Sequence, residues 1–236
     1  MENSLEYVSV QLQEVREKIA QAEKVNHRQP GAVKLLAVSK TFPNEAILAA
    51  YAAGQRAFGE NKVAELEAKA TVLPGDIQWH LIGHLQSNKV ARAVRYASWI
   101  HSVDSIKLLE RIDRLAGEEG RHPNILLEVN VSGEASKDGI SPEELNELAA
   151  AAAAADHVTW QGLMTMAPLG ADAAVLDRVF STLRDLELEL RERFALPLPE
   201  LSMGMSGDFT DAIRCGSTIV RIGTAIFGMR NYGVRV

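Results

Sequence analysis

Two apolar stretches near the end of the sequence are each followed by glycines and hydroxyl side chains. Residues 201–206 form the first such unit, and residues 218–222 lead into Gly223 and Thr224 in the second. Strand ends of this kind place backbone N–H groups and hydroxyls at helix N-termini, where an anion is favoured. Arg221 has the same strand parity as Gly223, so its guanidinium is predicted to face the same cavity. The stretch therefore predicts a phosphate site beside an arginine.

A lysine ends the first strong apolar run of the chain. Residues 33–39 are almost continuously apolar, as is typical of a buried parallel strand, and Lys40 follows between Val38 and Phe42. Apolar surroundings disfavour the ammonium form, and a neutral amine can form a Schiff base with an aldehyde. A lysine opposite a phosphate cradle favours pyridoxal 5′-phosphate (PLP) as the ligand. A surface lysine at a strand end is the simpler alternative.

Strand patterns alternate with helical patterns along the chain, and together they predict the scaffold that positions these residues. An amphipathic helix opens the chain between Leu5 and Ile19, and a long helix is predicted over Ala173–Phe194. A doubly wound open sheet is the competing fold, but the first strand is not followed by the G-x-G-x-x-G motif that would support it. The predicted strands cover residues 33–39, 56–58, 77–82, 99–103, 125–131 and 158–164, followed by two in the segment 201–228.

Eight strand–helix alternations indicate a (β/α)₈ TIM barrel, an α/β fold whose chemistry is carried at the carboxyl ends of its strands. We therefore predict a single barrel domain over residues 1–236, preceded by the N-terminal helix.

Composition excludes several classes of function. The 236-residue chain has a formal net charge of −6, which disfavours a broad basic surface for nucleic acid. The single cysteine, Cys215, cannot form an internal disulfide and is predicted to be a packed residue. The sequence shows no signal peptide and no apolar run of ~20 residues, so we expect a cytoplasmic protein without a membrane span. His80 and His84 are four residues apart at a strand end rather than on a helix, and we expect no metal site there.

Several motifs, in one order along almost the whole chain, resemble the pyridoxal phosphate homeostasis protein family. Members of that family are single-domain relatives of the barrel half of alanine racemase and of ornithine-type decarboxylases. The resemblance thus implies a fold-type III PLP-binding barrel. The motifs are Ala37-Val38-Ser39-Lys40, Phe58-Gly59-Glu60-Asn61, Trp79 to Lys89, His101-Ser102-Val103-Asp104, Val129-Asn130-Val131-Ser132, Lys137-Asp138-Gly139, Gly162-Leu163-Met164 and the segment 201–228.

The resemblance also implies roles for individual residues. Lys40 would hold PLP covalently as an internal aldimine, and Arg221 would face the pyridine nitrogen. Lys62 stands at a position where many relatives have tyrosine, and it is expected to be exposed. The implied cofactor-binding residues are Lys40, Asn61, Met203, Ser206, Arg221, Gly223 and Thr224, with Ser206, Gly223 and Thr224 at the phosphate and Asn61 and Met203 lining the pocket. No catalytic residue is implied.

An arginine beside the pyridine nitrogen favours a binding protein over an enzyme. A guanidinium cannot accept the ring proton, so the ring stays neutral and stabilises a carbanion poorly. Racemases with this arrangement use a second acid/base residue on a further domain, whereas this sequence ends at Val236.

We therefore expect a monomer that binds PLP, maintains intracellular PLP (vitamin B6) and does not turn over amino acids, with PLP-dependent apoenzymes as partners. A minimal PLP-dependent racemase or lyase is the alternative, and a phosphate-binding barrel enzyme without PLP is a third.

Overall fold

The computed structural model describes residues 5–134 and 138–229. Eight parallel strands close into a barrel in chain order, with the last strand pairing with the first, so the predicted (β/α)₈ barrel is confirmed. The strands are β1 (Lys34–Val38), β2 (Ala57–Glu60), β3 (Gln78–Leu81), β4 (Trp99–Val103), β5 (Asn124–Glu128), β6 (Thr159–Met164), β7 (Glu200–Ser202) and β8 (Ile219–Ile222).

Helices surround the barrel and follow the strands in sequence. They are α1 (Leu5–Val25), α2 (Asn44–Ala52), α3 (Val63–Ala70), α4 (Val90–Tyr96), α5 (Ile106–Glu119), α6 (Leu145–Ala153), α7 (Ala173–Phe194), α8 (Phe209–Arg214) and α9 (Thr224–Phe227), with a 3₁₀ turn at Ser87–Lys89. The bounds of α7 are those that the sequence predicts. No helix in the described ranges is both long enough and apolar enough to cross a bilayer.

The opening helix α1 is amphipathic and extends beyond its predicted end to Val25. Its apolar face is buried, with Leu12 fully inaccessible, and packs against α2, α8 and α9. Burial of such a stripe, at about 25 cal/mol per Å² of apolar surface, is the main source of stability for a surface helix. Helix α1 thereby supports the two short helices that flank the last strand.

Successive side chains along each strand point alternately to two different cores. Outward-facing residues join the helices in one large apolar core. Inward-facing Leu36, Leu126, Met164 and Ile219 form a separate cluster inside the barrel. This period-two alternation is the expected pattern for a barrel filled by side chains. Cys215 is buried.

The strand β5 is shorter than its pattern predicts, because the chain leaves the ladder after Glu128. Val129 forms an isolated bridge with Ile140, and the Asn130 N–H donates to the Ile140 carbonyl at 2.9 Å. These contacts hold Ile140 beside the end of the strand and leave Glu128 as the last strand residue.

Candidate functional site

The carboxyl ends of the strands open onto a cavity of about 530 Å³. Its walls come from the ends of β1, β3, β5 and β8 and from the segments 166–171 and 205–208 after β6 and β7. The volume falls within the ~300–1,000 Å³ that is typical of small-molecule sites. The cavity also lies at the end of the barrel where chemistry is normally carried.

Lys40 lies at this mouth, two residues after β1 ends, and lines the cavity with Val38. It is half-buried. The preceding residue, Ser39, is fully buried, and its N–H donates to the Gly59 carbonyl at 3.0 Å. The backbone directly before Lys40 is therefore still hydrogen-bonded to the neighbouring strand.

Small residues after β7 and β8 form the opposite wall. Ser206, Gly207, Gly223 and Thr224 all line the cavity, and the Ala225 N–H donates to Ser206 Oγ at 3.5 Å. The first N–H groups of a helix have no acceptor within it and are available to an anion. The two turns therefore offer hydroxyl and backbone donors to one anionic group.

The turn after β7 depends on Gly204. Its φ is +94°, and a Cβ there would lie 2.6 Å from the Cβ of Ala212. A left-handed glycine with no room for a side chain lets the chain turn sharply beneath α8. The Arg221 N–H donates to the Gly204 carbonyl at 2.9 Å, which joins this turn to β8.

Arg221 projects into the cavity from inside the barrel and is only 4% exposed. Its Nη1 donates to the Ser202 carbonyl at 2.7 Å and to Ser202 Oγ at 2.8 Å, and its Nη2 donates to the Thr165 carbonyl at 2.9 Å. Burial lowers the pKa of Arg221 to about 10, while Glu128 and Asp208 oppose that shift. The guanidinium therefore remains a cation at neutral pH.

A chain of hydrogen bonds continues from Arg221 into the barrel. His101 Nδ1 lies 3.0 Å from Ser202 Oγ, and His101 Nε2 lies 2.9 Å from His80 Nδ1. Burial lowers the pKa of His80 to about 3 and that of His101 well below its ordinary value, so both rings are neutral. Ser202 Oγ accepts from Arg221 and shares one further proton with His101, so the guanidinium, the hydroxyl and the two neutral rings form one continuous hydrogen-bonded chain.

Glu128 is a site residue that the sequence analysis misses. It is 3% exposed and lines the cavity, and its carboxyl group makes no hydrogen bond to any described residue. Its pKa is raised to about 8, mainly by burial and also by the nearby Asp138, while Arg221 opposes the shift. Its only signal in the sequence is a carboxylate at an inward-facing position of an otherwise apolar strand.

Residues 10–231 match the family model of the alanine racemase N-terminal domain. A relative from Vibrio alginolyticus named pyridoxal phosphate homeostasis protein is 45% identical over 210 residues, which cover 87% of this chain and 90% of the relative. The chain belongs to the pyridoxal phosphate homeostasis protein family.

Solved structures agree with this assignment. PipY of Synechococcus elongatus PCC7942 with PLP bound is 44% identical, with a TM-score of 0.76 over 89% of this chain and all of PipY. An unknown protein from Bifidobacterium adolescentis is 40% identical, with a TM-score of 0.89 over 94% of this chain and 95% of that protein.

Six of the seven residues that the family resemblance implies line this cavity: Lys40, Asn61, Ser206, Arg221, Gly223 and Thr224. Met203 is fully buried and is not among the lining residues. Its N–H donates to the Ile219 carbonyl at 3.1 Å, which keeps it in the sheet, and the turn at Gly204 brings Met205 to the cavity instead.

The two histidines at the end of β3 have different partners. His80 points into the barrel towards His101. His84 lines the cavity at the barrel mouth, where its Nδ1 lies 3.7 Å from an Asp104 oxygen and 3.8 Å from an Asp138 oxygen. The four-residue spacing therefore does not bring the two rings to a common point. Lys62 is exposed, as expected from its position.

Proposed function

We propose that this protein binds PLP covalently through Lys40 Nζ and maintains the PLP supply without turning over amino acids. The observation that carries the proposal is that Lys40, Arg221 and the turns after β7 and β8 line a single cavity. Relatives at 39–45% identity are named for PLP homeostasis, and PipY binds PLP. We further propose that PLP-dependent apoenzymes receive the cofactor.

The residues present fit the parts of PLP. Ser206, Gly223 and Thr224 would hold the phosphate, because hydroxyl and N–H donors meet there and a Cβ at Gly223 would lie 3.2 Å from the Val38 carbonyl. Arg221, fixed by its three hydrogen bonds, would face the pyridine nitrogen. PLP itself supplies an electrophilic aldehyde and a ring that withdraws electrons.

Arg221 also supports a role without turnover. Its pKa of about 10 keeps the guanidinium charged, so it can donate a hydrogen bond but cannot take a proton from the ring. A ring that stays unprotonated withdraws electrons weakly. The site therefore favours holding PLP over activating a bound amino acid.

Glu128 is the one observation that favours the alternative of a minimal PLP-dependent racemase or lyase. It lines the same cavity, and a carboxyl group whose pKa is about 8 can exchange a proton near neutral pH. If this alternative holds, PLP-loaded protein exchanges the α-proton of alanine in D₂O at ordinary enzyme rates, and Glu128→Gln abolishes the exchange. We expect no such exchange in either protein.

The binding proposal is tested by adding PLP to purified protein and recording its visible absorbance. We expect a yellow adduct that borohydride fixes to the peptide containing Lys40 and that Lys40→Ala eliminates. Lys62→Ala, which removes an exposed lysine near the same mouth, serves as the control and should leave the colour intact. Persistent colour in Lys40→Ala, with trapping on another lysine, would refute the assignment of Lys40.

A further inference from the structure

A polar network with a buried centre lies directly behind the backbone of Lys40. Lys69 reaches back from α3, and its Nζ donates to the Ser39 carbonyl at 2.8 Å, to Glu60 Oε1 at 2.8 Å and to Glu65 Oε1 at 2.7 Å. The side chains of Lys69 and Glu60 are 7% and 0% exposed. We call the group Ser39, Thr41, Glu60, Glu65 and Lys69 the Lys40 clamp.

The clamp holds the chain on both sides of Lys40. On the N-terminal side, Ser39 Oγ donates to Glu60 Oε1 at 2.6 Å. On the C-terminal side, the Thr41 N–H donates to Glu65 Oε1 at 2.6 Å. Two carboxylates bridged by one ammonium group therefore fix the residues that flank the lysine, while Lys40 itself lines the cavity.

The backbone at Thr41 shows that this turn is constrained. Its φ is +68°, in the left-handed region that β-branched residues disfavour. Such a conformation persists only where the surrounding contacts over-determine it. The hydrogen bond from the Thr41 N–H to Glu65 is a contact of this kind.

Stability alone is a poor explanation for the clamp. Taking Lys69 and Glu60 out of water carries a desolvation penalty that can exceed their mutual attraction, and apolar residues would fill the same volume at lower cost. An array of charges on a strained turn beside a reactive side chain is better explained by precise placement.

We propose that the Lys40 clamp is the positioning device of the PLP-binding lysine, with Glu65 and Lys69 as positioning residues that act through the backbone of Ser39 and Thr41. The inference rests on the proposed function. In this proposal, side chains of α3 hold the Lys40 amine in position at the cavity before any ligand binds.

The test compares Glu65→Ala and Glu65→Gln with the control Glu67→Ala. Glu67 lies on the same helix, has a side chain 28% exposed against 24% for Glu65, and pairs with Arg92 outside the clamp. At a temperature well below the melting temperature of each variant, we expect Glu65→Ala to slow the appearance of the PLP absorbance about tenfold. Glu65→Gln should restore most of the rate, because its amide oxygen can still accept from Thr41. Glu67→Ala should react at the wild-type rate.

A second measurement needs no PLP. Amide hydrogen exchange at Thr41, followed by NMR, should be at least about tenfold faster in Glu65→Ala and unchanged in Glu67→Ala. Unchanged exchange and unchanged rate in Glu65→Ala would overturn the inference, as would an equal slowing in Glu67→Ala. If wild-type protein takes up no PLP, the proposed function fails, and the exchange experiment still decides whether the clamp holds the turn.

Discussion

The protonation states of buried side chains in and beneath the cavity are set by their surroundings. The same burial lowers the pKa of His80 to about 3 and raises that of Glu128 to about 8, because desolvation disfavours whichever form is charged. Arg221 keeps its charge because its ordinary pKa is so high that a large decrease leaves it protonated at neutral pH. The cavity of the PLP-free protein thus contains a fixed cation and a carboxyl group that is mostly protonated at neutral pH.

Glu128 should make the stability of the PLP-free protein fall as the pH rises. Its pKa is raised from 4.5 to about 8, so the folded protein retains a proton that the unfolded chain has lost. The stabilisation is complete below pH 4.5 and disappears as the pH approaches 8, at up to about 1.4 kcal/mol per pH unit. Urea denaturation of wild type and Glu128→Gln between pH 5 and 8 should show the variant gaining relative stability as the pH rises.

Glu45 is exposed, so Glu45→Gln provides the matched control for this measurement. We expect its stability to depend on pH in the same way as that of the wild type. Parallel profiles for wild type and Glu128→Gln would show that Glu128 does not carry the raised pKa.

The turns that follow β2 and β3 fix each other's position. The turn after β3 packs against the turn after β2 so closely that a Cβ on Gly83 would lie 2.6 Å from the Asn61 carbonyl oxygen and 2.9 Å from its Cα. Both residues line the cavity. The absence of a side chain at Gly83 therefore sets the position of Asn61.

Gly83→Ala should both destabilise the protein and impair the cavity. The new methyl group meets backbone atoms, which cannot rotate away, so we expect a loss of about 1–3 kcal/mol in unfolding free energy by urea denaturation. Displacement of Asn61 should also weaken PLP binding in an absorbance titration.

Gly75→Ala is the comparison for that experiment, because a Cβ at Gly75 meets nothing within 4 Å. Its effect should stay within about 0.5 kcal/mol. Equal behaviour of the two variants would mean that the contact between the two turns is not tight.

Closure of the barrel unites the two ends of the chain in one site. Strand β8 pairs with β1 in a register that puts Leu36 opposite Arg221 and Ala37 opposite Ile222. Lys40 and Gly223 thereby reach the same end of the barrel, although 182 residues lie between them in the sequence. A ligand that contacts both ends of the chain would link the first and last strands.

PLP should therefore stabilise the whole molecule. A ligand at 100 times its dissociation constant adds about 2.7 kcal/mol to the unfolding free energy, or about 5–10 °C in melting temperature for a chain of this size. Differential scanning calorimetry should show that shift in wild type and a much smaller one in Lys40→Ala. Pyridoxine 5′-phosphate, which lacks the aldehyde, provides a second comparison and should shift wild type less than PLP. An equal PLP shift in Lys40→Ala would contradict the proposed attachment.

Reading along the chain is enough to predict the barrel and the small, hydroxyl-bearing residues of the turns after its last two strands. Period-two alternation, helical periodicity and glycines after strands are local properties, and local properties can be found by reading along the chain. The strands and α7 emerge from these patterns nearly in place. Gly223 directly follows the strand that carries Arg221 and has the same parity, so their common orientation also follows from the sequence.

Contacts between side chains that are distant in the sequence follow from the three-dimensional packing. Lys69 and Glu65 reach the Lys40 turn, Ser202 links Arg221 to His101, and the Glu128 carboxyl group makes no hydrogen bond in the described part of the chain. Each of these facts depends on how far neighbouring strands are staggered and how closely α3 packs, and a one-dimensional pattern does not encode either distance. Burial then set the ionisation of these groups, because desolvation is a property of the closed barrel rather than of the residue.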